Sequence, residues 1–216
     1  MAGKVKDLNG KTRASLLHMA GEVFAEGGFH AATVRDICRR ARVNAASINY
    51  HFGSKGELYA AVLEYSYAQT LPEFPGALKD RSGPPGERLS LFIRGFMQSV
   101  LDEGRPAWYG KLMAREMVEP TSALDRIVDK AIRPRHKFLR ELVVELLGYR
   151  PADEELSRMA FSIIGQCLFY YHARQVIARL NPSVRYDTRG IGRAAAHIAL
   201  FSLSALKAIS RGKKGG

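Results

Sequence analysis

"VNAASINYHFGSK", Val43 to Lys55, decides the reading of this chain. It sets Asn, Ser, Asn, Tyr, His, Ser and Lys around two adjacent alanines. Val43, Ile48 and Phe52 are its core-type residues. Ile48 and Phe52 stand four apart, so one face of a short helix anchors to a core. The opposite face carries small and polar side chains. A helix that enters a major groove about 12 Å wide needs small leading residues, and Ala45 and Ala46 meet that need. Asn49 can pair with adenine and Ser47 can serve several bases or a phosphate. Tyr50 and His51 suit phosphate oxygens.

The neighbouring sequence reads as helix on both sides. Leu17, Ala20, Val23 and Phe24 form one apolar face of a helix from about Thr12 to Glu26, stopped by Gly27 and Gly28. Thr33 is a good N-cap, with Asp36 three residues on, for a second helix over Val34 to Ala41. A tight turn at Arg42 leads to Asn44, which caps the third helix, ending near His51. Ser54 caps a fourth, Lys55 to Gln69. Two short helices joined by a tight turn, the second polar and small on one side, describe a helix-turn-helix.

Beyond it, Pro72 to Gly86 holds four prolines and three glycines and reads as a linker or loop. Five helices are expected after it, about 87–104, 106–118, 121–148, 152–180 and 188–210, for about nine in all. Pro134 falls inside a helical pattern, so that element is kinked or starts afresh near Arg133. The C-terminal "RGKKGG" reads as a disordered tail. No β-alternation is sustained, so the fold class is all-α.

Composition permits a packed core, with 46% hydrophobic and 25% charged residues. The net charge of +12 favours an anionic partner, nucleic acid first. The charge is not localised: residues 1–60 carry nine Lys/Arg against five Asp/Glu, and residues 151–216 carry ten against four. Cys38 and Cys167 lie far apart with no CxxC or Cys/His cluster, so no metal site or disulfide framework is expected. No cofactor motif is present, and "GSKGEL" lacks the glycine and strand of a phosphate-binding loop. The N-terminus has no secretory core, and the most apolar stretch, Ala194 to Ile209, is short for a membrane span. A cytoplasmic protein without membrane contact is expected. An enzyme and a helical scaffold for partner proteins are the rival readings; neither uses the 43–55 stretch.

From Ala20 to Leu63 the chain resembles the DNA-binding domain of TetR-family transcriptional regulators. The resemblance rests on Ala20, Phe24, Gly28, Phe29, Thr33, Val34, Ile37, Ala41, Val43, Ile48, His51, Phe52, Lys55 and Leu58. It implies a homodimer, an N-terminal helix-turn-helix domain over 1–60, and a larger helical domain over 61–216 for effector binding and dimerisation. It also implies a sequence-specific, ligand-responsive regulator, a repressor released from a palindromic operator in double-stranded DNA by a small-molecule effector. Carried over by position, Thr33 and Arg35 meet phosphates, Asn44, Ala45, Ala46, Ser47, Asn49, Tyr50 and His51 form the recognition surface, and Lys55 clamps a phosphate. The family usually has Gly where this chain has Arg42, and a left-handed conformation there costs a non-glycine residue about 1 kcal/mol. Arg42 either reaches phosphate or is simply exposed. The family usually has Tyr where this chain has Asn49, which makes Asn49 a base-reading candidate.

"INYHFGSK", "MAREMVEPT" and "IRPRHKFL" together resemble the CecR-like subgroup. In the C-terminal half, Ile163, Cys167, Tyr170 and Arg174 share one helix side, and Phe161, Ile164, Leu168 and Tyr171 another. The last helix carries Ala195, Ile198, Ser202, Ala205 and Ile209 in one stripe. These two helices either pair with their copies as a four-helix bundle or form an intramolecular core. Polar and aromatic groups on apolar faces, candidates for an effector pocket, are Trp108, Tyr109, Met113, Glu116, His136, Gln166, Tyr170 and Tyr171.

Overall fold

The computed structural model describes residues 2–69, 82–101 and 107–214. Side chains of residues 2–12, 47, 68–69, 107 and 214 are not among those described. The described residues are helical throughout, with no strand. In chain order the helices are α1 (Ala2–Ala31), α2 (Val34–Ala41), α3 (Ala45–Phe52), α4 (Lys55–Gln69), α5 (Pro85–Leu101), α6 (Ala107–Val118), α7 (Ser122–Ile127), a π turn (Val128–Ile132), α8 (Arg133–Leu147), α9 (Asp153–His172), α10 (Arg174–Leu180) and α11 (Thr188–Lys214).

Two compact units hold these elements. One contains residues 1–69 and 104–132, the other residues 70–103 and 133–216. The packing therefore does not follow a single cut in the chain: α6, α7 and the π turn sit on α1 and α4. In this first unit Leu16, Leu17, Phe24, Ile37, Ile48, Leu58, Leu63 and Leu112 are buried together. Phe24 meets Tyr59 edge to face at 4.9 Å, an arrangement suited to the ring quadrupoles. The second unit is a bundle of α5, α8, α9 and α11. Its core includes Phe92, Ile93, Met97, Leu139, Leu142, Leu156, Ile163, Cys167, Ala195 and Ile198.

Glycine ends the straight part of α1 as expected, but by another conformation and at a later position. Gly28 has φ 75 and ψ 172, a region open essentially to glycine, and a short helical turn continues to Ala31. A Cβ there would also stand 2.5 Å from the Arg115 guanidinium. α1 begins at Ala2, ten residues before the expected start at Thr12. The expected helix over 121–148 is broken by the π turn, and α8 starts at Arg133 with Pro134 in its first turn, where a missing N–H costs nothing. The expected 152–180 helix divides at Ala173, whose amide bonds Phe169 O at 2.8 Å. No glycine or proline marks that break. The last helix runs to Lys214, so Arg211 to Lys214 are helical and not tail. Residues 72–81 of the proline-rich segment and Pro106 lie outside the described residues.

Candidate nucleic-acid interface

The α2–α3 elbow has the form the sequence calls for. Thr33 caps α2: its hydroxyl accepts from the Asp36 amide at 3.1 Å and donates to the Asp36 carboxylate at 2.6 Å. That hydrogen bond, with Arg39 beside it, holds the Asp36 carboxyl below its ordinary range. Arg42 ends the helix in the left-handed region at φ 55, ψ 41, the one non-glycine with positive φ among the described residues. Arg42, Asn44, Ala45, Ala46, Asn49 and Tyr50 are exposed, while Ile48 and Phe52 on the reverse of α3 are buried with Ile37. Tyr50 is 82% exposed, and an apolar ring left in solvent on a small polar helix is poised for contact. His51 is half-buried, its ring 5.0 Å from Tyr50 and 6.2 Å from Phe52. It shares both faces of α3. Arg35 is exposed on α2. The Ser47 side chain lies outside the described residues.

Lys55 has a task that sequence reasoning missed. Its ammonium donates to Phe29 O at 2.9 Å, His30 O at 3.4 Å and Ala32 O at 3.1 Å, and lies 4.6 Å from the Phe29 ring centroid. In the free protein it therefore caps the carbonyls at the end of α1, tying α4 to α1. Thr33 likewise uses its hydroxyl for the α2 cap. Arg40 braces α2 on α1 through Glu26 at 2.8 and 2.9 Å. Its hydrogen bond with Glu26 raises the Arg40 pKa and lowers that of Glu26. The pair is exposed, so its worth is orientation of α2 more than stability.

Comparison with known proteins gives the family. Residues 85–206 match the model described as the C-terminal domain of the HTH-type transcriptional dual regulator CecR. Residues 16–62 match the model of bacterial regulatory proteins, tetR family. The HTH-type transcriptional regulator UidR of Escherichia coli K12 is 33% identical over 148 residues, 68% of this chain and 69% of that protein. This chain belongs to the TetR family.

It is a DNA-binding helix-turn-helix transcriptional regulator, not an enzyme. The HTH-type transcriptional dual regulator CecR of Shigella flexneri is 27% identical over 176 residues, 77% of this chain and 78% of that protein. In fold, the chain is similar to the crystal structure of HlyIIR, a hemolysin II transcriptional regulator, at a TM-score of 0.60 and 20% identity over 88% of this chain and 97% of that one.

For a TetR-type chain the remaining candidates sort by unit. Trp108, Tyr109, Met113 and Glu116 belong to α6, in the unit that holds the helix-turn-helix. Trp108 is buried against Gly21 and edge-on to His18 at 5.7 Å. Glu116 is wholly buried. Its carboxylate accepts from the Tyr59 hydroxyl at 2.7 Å and from the Thr121 amide and hydroxyl at 2.8 and 2.9 Å. Burial and then Glu116 push the Tyr59 phenol well above its ordinary value. This is a core tie between α4, α6 and the cap of α7. His136, Gln166, Tyr170 and Tyr171 belong to the second unit. His136 stacks on Phe161 at 5.1 Å, and its Nε2 is buried with no hydrogen-bond partner among the described residues. Gln166 donates to Ser162 O at 3.2 Å and Ser202 Oγ at 3.4 Å.

The helix stripes also resolve. Ile163 and Cys167 face the bundle core, as do Ala195, Ile198 and Ser202. Burial pushes the Cys167 thiol up to about 12, the mark of an inert core sulfur. The outward large apolar residues of α9 and α11 are Phe161, Phe169, Leu200, Phe201 and Ile209. Periodicity cannot say which face of an all-round apolar helix is inward; here the α11 stripe packs inside the protomer at Ala195, Ile198 and Ser202, and is exposed at Ala205 and Ile209. Among the described residues no helix is long and apolar enough to cross a membrane, and no side-chain cluster could hold a metal ion.

Proposed function

We propose that this protein is a ligand-responsive repressor that binds a palindromic operator as a homodimer and leaves it when a small molecule binds the C-terminal part. The observation that carries the reading is α3: Ala45, Ala46, Asn49 and Tyr50 stand exposed over a buried Ile48 and Phe52. Asn49 reads a base, Ser47 a base or phosphate, and Tyr50 and His51 hold phosphates. Arg35, Arg42 and Asn44 hold the flanking backbone, with Thr33 and Lys55 orienting the two helices that frame α3.

DNA binding is assigned to residues 1–60, and effector binding and dimerisation to 61–216. Support for a dimer through α9 and α11 comes from Phe161, Leu200 and Phe201, each 60% exposed or more. Two such faces meet as an isologous four-helix contact. Two α3 helices would then be held about 34 Å apart, one groove repeat. The packing of α6 on α1 and α4 supplies the path by which Trp108, Tyr109, Met113 and Glu116 influence the recognition helix. Occupancy of a promoter blocks polymerase, and an effector that favours another head spacing shifts the population off DNA.

The test is fluorescence anisotropy on a duplex selected by the protein. Tyr50→Ala weakens binding to every sequence alike. Asn49→Ala relaxes preference at one base pair by about 1–3 kcal/mol, the worth of a bidentate base contact. If both variants keep wild-type affinity and preference, α3 is not the reading helix.

A further inference from the structure

The end of α9, α10 and the start of α11 hold a charge pattern that neither the recognition helix nor the outward apolar faces use. Between His172 and Arg193 stand five arginines, no lysine and one acid, Asp187. Arg179, Arg185, Arg189 and Arg193 are exposed, and Arg174 is half-buried. The Asp187 carboxylate accepts from the Gly190 amide at 2.6 Å and so serves the first turn of α11. Elsewhere the same unit gives its arginines carboxylates: Arg88 has Glu145, Arg140 has Asp153 and Arg158 has Glu154. Arg185, Arg189 and Arg193 make no ion pair among the described residues.

The fold draws these cations together. A Cβ at Gly190 would collide with Arg185 O, so glycine lets the Arg185 backbone lie on α11 beside Arg189. Arg193 is one turn further on, about 6 Å along the axis. From the other side, the Arg174 guanidinium carbon lies 4.5 Å from the Tyr186 ring centroid. Tyr186 follows Arg185, and its hydroxyl is buried with no hydrogen-bond partner among the described residues. Like charges held at close range cost stability until an anion joins them. Arginine in place of lysine selects the anion, because the planar fork donates two parallel hydrogen bonds to a phosphate. A carboxylate brings one charge to such a cluster, whereas a phosphate group brings about two and three acceptor oxygens.

We propose that the cluster of Arg174, Arg185, Arg189 and Arg193 is the anion-binding part of the effector site, and that the effector carries a phosphate or diphosphate group. The inference rests on the reading of residues 61–216 as effector-binding and names the chemical class that this part accepts. The Tyr186 hydroxyl is the neutral donor beside the four guanidinium groups.

The experiment is titration calorimetry with sodium pyrophosphate, sodium sulfate and sodium succinate at one ionic strength. It compares wild type, Arg185→Gln with Arg189→Gln, Arg185→Lys with Arg189→Lys, and Lys207→Gln with Arg211→Gln, which removes equal charge further along α11. Melting curves confirm that each variant folds. Pyrophosphate is expected to bind wild type at least about 10-fold tighter than sulfate or succinate. The Arg185/Arg189 glutamine pair loses at least about 10-fold and the lysine pair about 3-fold, because charge without the fork is not enough. The Lys207/Arg211 variant stays within about 2-fold of wild type, the share of a screened distant charge. At the same ionic strength, saturating pyrophosphate lowers wild-type affinity for the selected duplex at least about 5-fold and leaves the glutamine pair unmoved. No preference for pyrophosphate, or equal losses from both charge pairs, overturns the phosphate class and leaves the effector reading standing. Pyrophosphate held by the cluster with operator affinity unchanged overturns its assignment to the effector site. A glutamine pair that loses operator affinity with no pyrophosphate present gives the cluster to nucleic acid and also overturns the proposal.

Discussion

Glu116→Ala tests how the recognition unit is held together. Glu116 is wholly buried, and its carboxylate accepts three hydrogen bonds, from Tyr59 at 2.7 Å and from Thr121 at 2.8 and 2.9 Å. A hydrogen bond to a charged acceptor contributes about 1.5–3 kcal/mol. Thr121 is half-buried, so its amide and hydroxyl find water when the carboxylate is gone. Tyr59 is 2% exposed, so its hydroxyl is left unsatisfied at about 1–3 kcal/mol. Loss of the side-chain methylenes adds about 1 kcal/mol, and release of a buried charge offsets part of the sum. The net expectation is a loss of about 3 kcal/mol for Glu116→Ala and about 1–2 kcal/mol for Glu116→Gln, which keeps one acceptor. Tyr59→Phe removes one bond and costs about 1.5–3 kcal/mol. Urea unfolding followed by circular dichroism, at one fixed protein concentration, measures all three. The double variant Glu116→Ala, Tyr59→Phe reports a coupling of about 1–3 kcal/mol, since both single changes break the same contact. A loss under 1 kcal/mol for Glu116→Ala, or strict additivity in the double variant, refutes the claim that this buried carboxylate ties α4 to α6.

Arg42→Gly relieves a left-handed residue worth about 1 kcal/mol while adding chain entropy to the unfolded state. The melting temperature therefore rises by at most about 2–4 °C, and operator affinity falls because a phosphate ligand is gone. A drop in stability overturns the strain assignment. Phe201→Asp removes an exposed ring from the proposed dimer face in both copies, and light scattering should show dimer dissociation raised at least about 10²-fold. An unaltered dimer places the interface elsewhere. Burial, with Arg140 next, holds His136 below its ordinary value of 6.5, with Asp153 opposing and Arg133 adding to the shift. A base depressed on folding binds fewer protons folded than unfolded, so its stabilising share is present above 6.5 and lost as pH falls through the folded value. Wild type should therefore lose more melting temperature than His136→Gln between pH 7.5 and 5.5. Parallel losses would show that His136 does not titrate against the fold.

The buried and exposed faces of α3 were legible because a helix with one packed side and one open side writes opposite residue types into one short stretch. Ile48 and Phe52 sit at core spacing, and Ala45, Ala46, Asn49 and Tyr50 have no packing reason to share the other side. The left-handed Arg42 was legible too, since a two-helix elbow needs that conformation whatever residue fills it. Lys55 was not legible as a cap. Its partners are carbonyls of Phe29, His30 and Ala32, and backbone groups leave no mark in sequence. Glu116 was read as a pocket group because a carboxylate on an apolar helix announces either a ligand or a buried partner. Only the arrival of Tyr59, 57 residues away in the chain, separates the two. The inward faces of α9 and α11 were only partly legible: α9 is apolar on more than one face, and small residues on α11 mark a close approach without saying to which neighbour.

The most direct measurement is selection of bound sequences from random duplex DNA by the full chain, repeated at several salt concentrations. The account predicts an inverted repeat whose half-sites are centred about one helical turn apart, enriched at moderate salt and lost together with Asn49 preference in Asn49→Ala. Enrichment of no sequence at any salt, with only salt-sensitive retention of bulk DNA, contradicts the assignment of α3 as a reading helix.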